Sequence, residues 1–159
     1  MIIRHAKESD MKSVYSMELA AFPPAEAASP DTYPYRLKHF PECFFIAEAE
    51  GTAVAFLAGR PVTGTGIRDE MYHNEPYPPQ GSSFALLSVA TSPSFRGQGI
   101  AEALIKEGLS YARTAGFETM ILACKEENLG FYKRFGFCEE GISESSHGEA
   151  VWYDMIIKF

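Results

Sequence analysis

Basic residues are scarce in this chain and nowhere clustered. Fourteen lysines and arginines stand against 21 aspartates and glutamates, a formal net charge of −7 over 159 residues. Without a basic run or stripe there is no electrostatic footprint for nucleic acid or an anionic membrane surface, so neither is expected as a partner. The acidic balance suits a cationic small substrate such as an amine, and it also favours solubility. Cysteines number three, Cys43, Cys124 and Cys138, with no Cys-x-x-Cys pair. Each lies in an apolar run, which predicts buried free thiols in a reducing compartment instead of a disulfide framework. No apolar segment nears the ~20 residues needed to span a bilayer. Met1-Ile2-Ile3-Arg4 leads straight into a strand pattern without a leader signal, so the expected location is cytoplasmic. No two of His5, His39, His73 and His147 show metal-ligand spacing, and no metal is expected. Repeats, low-complexity tracts and long linkers are missing too. With 46% hydrophobic and 22% charged residues, the chain reads as one domain over 1–159 with a core of its own.

What is present is organised around one stretch. An apolar run from Phe84 to Thr91 stops at Ser92-Pro93, and Phe95-Arg96-Gly97-Gln98-Gly99 then feeds a helical pattern beginning at Ile100-Ala101. Glycine admits positive φ and keeps side chains clear of an approaching ligand. The first turn of a helix leaves amides without intrahelical acceptors and carries the positive end of the dipole. A strand ending in such a turn is a pocket for an anion, most naturally a phosphate, and Arg96 adds a full positive charge. Neither a Gly-Lys-Ser/Thr triphosphate loop nor the three-glycine dinucleotide fingerprint is present.

The rest of the chain alternates strand and helix. Ile2–His5 reads as a strand. Ser9 or Asp10 caps a helix carrying Met11, Val14, Met17 or Glu18, and Ala21 at helical spacing, which Phe22-Pro23-Pro24 stops. A short helix follows from Pro30-Asp31 to about His39. Cys43–Glu50 and Ala53–Pro61 form a hairpin turning at Glu50-Gly51. Val62–Ser83 has no clean period, and a connection of that length is expected to be functional or mobile. The helix after the glycine turn runs to about Thr114, with Ile100, Leu104, Ile105, Leu109 and Ala112 as its core stripe and Gly116 past its end. Thr119–Cys124 is a short apolar strand buried on both faces. Glu126–Phe135 is a helix closed by Gly136. Phe137–Ile142 and Ala150–Phe159 are the last strands, with Val151, Tyr153, Met155, Ile157 and Phe159 on one face. The result is a mixed α/β sheet with a parallel step at its centre.

Arg96-Gly97-Gln98-Gly99-Ile100-Ala101, after a strand and opening a helix, resembles the acetyl-coenzyme A signature of the GCN5-related N-acetyltransferases (the GNAT superfamily). About thirty residues on, Asn128-Leu129-Gly130-Phe131-Tyr132-Lys133-Arg134-Phe135-Gly136-Phe137 is similar to the second half of that pattern. A finer resemblance, to the arylalkylamine N-acetyltransferase branch and its bacterial relatives, covers Ala21–Glu26, Pro41–Phe45, Asp69–Tyr72, Cys124–Glu126 and His147–Tyr153. The resemblance implies the GNAT fold: an α/β (α+β), mostly antiparallel seven-stranded sheet with a central parallel step and about four helices. It also implies an acyltransferase using acetyl-CoA as co-substrate. One departure stands out. Vertebrate members carry two proton-relaying histidines on the central strand, and the matching positions here are Ala85 and Leu87.

By that resemblance, the amides of Gly97, Gln98, Gly99, Ile100 and Ala101, with Arg96, hold the pyrophosphate. Val89, Ala90 and Thr91 pair with the pantetheine arm, the Val89 N–H polarises the thioester carbonyl, and Asn128 bonds the cofactor arm. Tyr132 is the candidate acid for the departing thiolate. Glu26 is the candidate base, with Glu70, His73 and His147 as rivals. Phe22, Tyr33 or Tyr35, the Asp69–Tyr77 loop with Glu70, and Trp152 are expected around the acceptor, a combination suiting an aryl-alkyl or aliphatic cation. The leading expectation is transfer of acetyl to a small-molecule primary amine. A non-catalytic coenzyme A sensor and a protein or peptide N-acetyltransferase are the alternatives, and the oligomeric state stays open, a homodimer included.

Overall fold

The computed structural model describes residues 1–74 and 81–159. Seven strands form a single sheet: β1 (Ile2–His5), β2 (Phe44–Ala49), β3 (Thr52–Val62), β4 (Ser83–Thr91), β5 (Thr119–Cys124), β6 (Cys138–Ile142) and β7 (Tyr153–Lys158), in the order β1-β2-β3-β4-β5-β7-β6. Four helices accompany them among the described residues: α1 (Met11–Ala21), α2 (Thr32–His39), α3 (Ile100–Thr114) and α4 (Leu129–Lys133). Every strand pairing is antiparallel except β4 with β5, which α3 connects. The expected fold class is the one observed. No helix among the described residues is long and apolar enough to cross a membrane.

The pleat sorts side chains onto two faces. Phe45 and Ala47 of β2 and Leu57 of β3 join Leu86, Ile100, Leu104, Ile105, Leu109 and Ala112 on the α3 face. Phe44, Ile46, Phe56 and Ala58 join Val14, Met17 and Tyr33 under α1 and α2. The predicted stripe of α3 is buried throughout. Gly108 brings that helix close to the sheet, since a Cβ there would lie 3.3 Å from Leu57 Cδ1. Leu104 is fully buried in the stripe, and trimming it to alanine is expected to cost about 3 kcal/mol.

Two irregularities shape the centre of the sheet. Ala58 of β3 pairs with Ser88 while Gly59 pairs with Leu86, so Leu87 is an extra residue, a bulge that bends β4. Gly59 permits the bend: a Cβ there would meet the Ala85 carbonyl at 2.5 Å. The parallel pairing of β4 with β5 covers only Ser83–Ala85 against Thr119–Ile121. Beyond it β4 runs on to Thr91 and β5 to Cys124 with no mutual pairing, so the two strands part.

Several expectations are corrected. The last strand begins at Tyr153, not Ala150, because His147–Glu149 forms a single 3-10 turn containing Gly148 at φ 65°, and Val151 lies 60% exposed beyond it. The helix expected from Glu126 to Phe135 is a 3-10 turn, Glu126–Asn128, followed by α4. Cys138 is exposed on the edge strand β6, whereas Cys43 and Cys124 are buried as expected. The part of the connection up to Tyr72 is anchored: Ile67 and Met71, the latter in a 3-10 turn over Asp69–Tyr72, are buried with Ala85, Leu87, Ile121 and Ile156. Tyr77 and the prolines at 76, 78 and 79 lie outside the described residues.

Candidate active site

Where β4 and β5 part, the sheet opens into a cavity of about 530 Å³. Leu86, Leu87, Ser88 and Val89 line it from β4, Ala123 and Cys124 from β5, and Asn128 and Tyr132 from the segment after β5. Tyr132 is buried, packed edge-on against Phe131 and Phe137. Burial pushes its phenol well above the usual range for tyrosine, and burial likewise pushes the Cys124 thiol up to about 11. Both stay protonated at neutral pH.

β4 leads from this cavity to the glycine turn. Gly97 and Gly99 hold φ of 77° and 79°, and a Cβ on either would meet no protein atom within 4 Å, so the space over both is open. The first bond of the α3 ladder runs from the Ala103 amide to the Gly99 carbonyl at 3.1 Å, which places the Ile100 and Ala101 amides ahead of it, free for a ligand. Arg96 is exposed and donates from Nε to the Thr91 carbonyl at 3.2 Å, folding back over the strand end. The turn and the parted strands thus fit a long ligand with a diphosphate at one end and a slender arm at the other.

Three loops close the opposite side. The His147 Nε2 lies 2.7 Å from the Glu26 carbonyl oxygen, its ring stacks on Tyr72 at 4.8 Å, and Trp152 Nε1 donates to the His147 carbonyl at 2.8 Å. Asp69 anchors the same loops by accepting from the Ser145 hydroxyl at 2.6 Å; burial alone would raise its carboxyl, but the bonds from Ser145 and Ser146 hold it below the usual range. Glu26 is 6% exposed, with Lys125 Nζ 2.6 Å from its Oε1 and no hydrogen bond to Oε2. Glu18 of α1, also buried, takes the Tyr33 hydroxyl on Oε1 and the Ala28 amide on Oε2 at 3.0 Å. Arg36 of α2 reaches the Ser88 hydroxyl at 3.5 Å and the Tyr72 carbonyl at 3.4 Å.

Of the residues expected from sequence, Phe22, Glu26, His73, Val89, Asn128, Tyr132, His147 and Trp152 line this one cavity. Thr91 and Arg96–Ala101 lie at the turn beyond it. Glu70 does not line the cavity: it is exposed on a 3-10 turn whose buried side is Met71. Tyr33 and Tyr35 do not line it either, since Tyr33 is spent on the core and on Glu18. At the positions of the missing histidines stand buried Ala85 and Leu87, neither of which titrates. Sequence reading missed Glu18, Arg36 and Lys125. A glutamate on the apolar stripe of α1 was the one local signal; the other two are brought in by tertiary contacts.

A family model described as "Acetyltransferase (GNAT) family" matches residues 11–137. Among curated proteins, human N-acetyltransferase 8B is 29% identical over 104 residues, 64% of this chain and 40% of that protein. The chain therefore spans well under half the length of that relative. Among solved structures, the "GNAT-like decarboxylase" GphF in complex with isobutyryl-CoA superposes with a TM-score of 0.85 at 21% identity, covering 99% of both chains. The ribosomal-protein-alanine N-acetyltransferase of Brucella melitensis does so with a TM-score of 0.76 at 19% identity over 100% of both chains. These two structures share the fold.

Proposed function

The chain belongs to the acetyltransferase (GNAT) family, and from that premise we propose that it moves the acetyl group of acetyl-CoA to the primary amine of a small molecule. The observation that carries the reading is the parting of β4 and β5 over a cavity into which Val89, Glu26 and Tyr132 all face. Acetyl-CoA supplies an activated thioester. The amides of Gly97–Ala101 and Arg96 hold its pyrophosphate, the free edge of β4 from Val89 to Thr91 aligns its arm, and Asn128 bonds that arm.

The Val89 N–H donates to the thioester carbonyl as charge builds on its oxygen, a contribution of about 3 kcal/mol for a preorganised donor. Glu26 takes a proton from the incoming ammonium. The freed nitrogen bonds the carbonyl carbon, the carbon–sulfur bond breaks, and Tyr132 gives its proton to the departing thiolate. The remaining N–H proton returns to the phenolate, leaving an amide and a thiol. A phenol held protonated by burial is in the right state to act as this acid.

A small acceptor is favoured over a peptide by the His147, Tyr72 and Glu26 contacts, which tie three loops across the acceptor side. The ribosomal-protein relative, by its name, acts on protein; a strapped entrance leaves less room for an extended chain. Thiol release from acetyl-CoA, measured against phenethylamines, tryptamine, polyamines, amino acids, amino sugars and N-terminal peptides side by side, tests the reading. Turnover of a small amine is the expected result. Turnover of peptides alone overturns the acceptor class, and no turnover with coenzyme A still bound points to a sensor.

A further inference from the structure

Arg36 is 3% exposed and lines the acceptor cavity. Its guanidinium is permanently charged, and a buried charge is costly unless it is paired and well hydrogen-bonded. Its bonds here are few and long: 3.5 Å to the Ser88 hydroxyl and 3.4 Å to the Tyr72 carbonyl, both neutral, with the guanidinium carbon 5.3 Å from the Tyr33 ring centre. Among the described residues no carboxylate lies within 4.0 Å of it. Arg4 shows the contrast, gripping Asp10 with two bonds of 2.8 and 2.9 Å. Glu18, on the neighbouring α1, already serves Tyr33 and Ala28. Five N–H donors with two long neutral contacts leave a fork whose natural partner is a planar carboxylate.

We infer that the acceptor is an amine that also bears a carboxylate, and that Arg36 is the residue selecting it; the inference rests on the acyl-transfer reading above. Its reach fits a compact molecule. Ser88, the partner of Arg36, immediately precedes Val89, where the thioester carbonyl is placed, so a carboxylate held by Arg36 keeps an amine one or two carbons away beside that strand. The same cavity offers the second charge. Glu26 Oε2 is buried with no hydrogen bond, a waiting acceptor for the ammonium. A pocket with a guanidinium that has no carboxylate partner among the described residues, and an under-bonded carboxylate, is matched to a zwitterion. A simple amine leaves the guanidinium with only its two long neutral bonds and the Tyr33 ring.

The test compares matched pairs differing only in the carboxylate: phenylalanine with phenethylamine, tryptophan with tryptamine, ornithine with putrescine. The carboxylated member of at least one pair is expected to lead by roughly 50-fold in kcat/KM, as for a charge-assisted bond made in a dry pocket. The difference should lie chiefly in KM. In Arg36→Lys the ratio should shrink to a few-fold, and in Arg36→Met it should vanish. Should the Met variant fail to fold, the pairs measured on the unmutated chain decide alone. Equal or better turnover of the decarboxylated members overturns this inference and leaves acyl transfer standing. No turnover of any pair, while another amine of the wider panel is acetylated, removes this inference and leaves acyl transfer standing; no turnover across the whole panel, with coenzyme A bound, removes both.

Discussion

Lys125 Nζ sits 2.6 Å from Glu26 Oε1, joining the residue after β5 to the loop after α1 across the cavity. The ammonium also lies 5.7 Å from the centre of the Trp152 ring. Among the described residues the cation on Glu26 comes from the segment that carries Asn128 and Tyr132, so an ion pair ties the loop after α1 to the segment leading into α4.

Removing only one partner of that pair strands the other. Because the Lys125 side chain is 33% exposed and that of Glu26 only 4%, Lys125→Met is expected to cost about 2 kcal/mol, below the range for a wholly buried pair. Adding Glu26→Gln should recover part of the loss. A thermal-melting double-mutant cycle reads the coupling, and strictly additive effects would show that the pair does not couple. Glu26→Gln alone should lower kcat about 100-fold if the carboxylate is the base; a normal rate with a normal acid limb in the pH–rate profile removes it from the mechanism.

Tyr132→Phe deletes only a hydroxyl from a packed ring. Turnover should fall tenfold or more while acetyl-CoA affinity, measured by calorimetry, stays within about twofold, because the ring still fills its place against Phe131 and Phe137. Burial raises this phenol above its ordinary value, so an alkaline limb falling below pH 10 belongs to another group and should persist in the variant. An unchanged rate excludes Tyr132 as the acid.

The glycine turn was legible because it is local: strand, left-handed turn and helix follow within a few residues, and Gly97 and Gly99 need their positive φ whatever surrounds them. The α3 stripe was legible for the same reason. The far side of the cavity was only half legible. Glu26, Phe22 and Trp152 could be named, but Arg36 and Glu18 face the cavity through the packing of α1 and α2 on β4, contacts between residues far apart in sequence. Glu70 misled because a single 3-10 turn has no periodicity to tell its buried side from its exposed one.

Gly99→Ala separates those roles. The protein offers a Cβ there no clash, only a φ of 79°, so stability should fall by about 1 kcal/mol. The methyl would stand where the diphosphate is proposed to lie, and coenzyme A affinity should drop tenfold or more. Titration calorimetry showing unchanged affinity would move the diphosphate away from this turn. Arg96→Ala should weaken binding less, with a reduced salt dependence.

Acid stability has its own marker at the other end of the sheet. Burial by itself would raise the Asp10 carboxyl, but the bonds from Arg4 and from the Lys7 amide outweigh it and hold it below the usual range. A carboxyl lowered in the folded state contributes stability that is fully present above its unfolded pKa and is lost as pH falls through its folded value. Asp10→Asn should therefore destabilise the fold by about 2 kcal/mol at pH 7 and by much less near pH 2. Urea unfolding at the two pH values measures it, and an equal loss at both would remove the charge from the account.

Gly148 is a tightly constrained position in the loops that close the cavity. Its φ is 65°, and a Cβ would lie 2.4 Å from Glu26 Cγ and 3.1 Å from the Ala25 carbonyl oxygen. The glycine is needed twice, for the turn that carries His147 and for the close approach of that turn to the Glu26 loop. Alanine must push the two loops apart, lengthening the contact between His147 Nε2 and the Glu26 carbonyl and shifting the carboxylate from Lys125. The glycine turn at Arg96–Gly99 is built from other elements and should not feel the change. Gly148→Ala is therefore expected to lower kcat/KM for the amine at least tenfold while the KM for acetyl-CoA moves by less than about twofold. Equal damage to both constants would mean that the two halves of the site are not built independently, and that the acceptor loops support the fold as a whole.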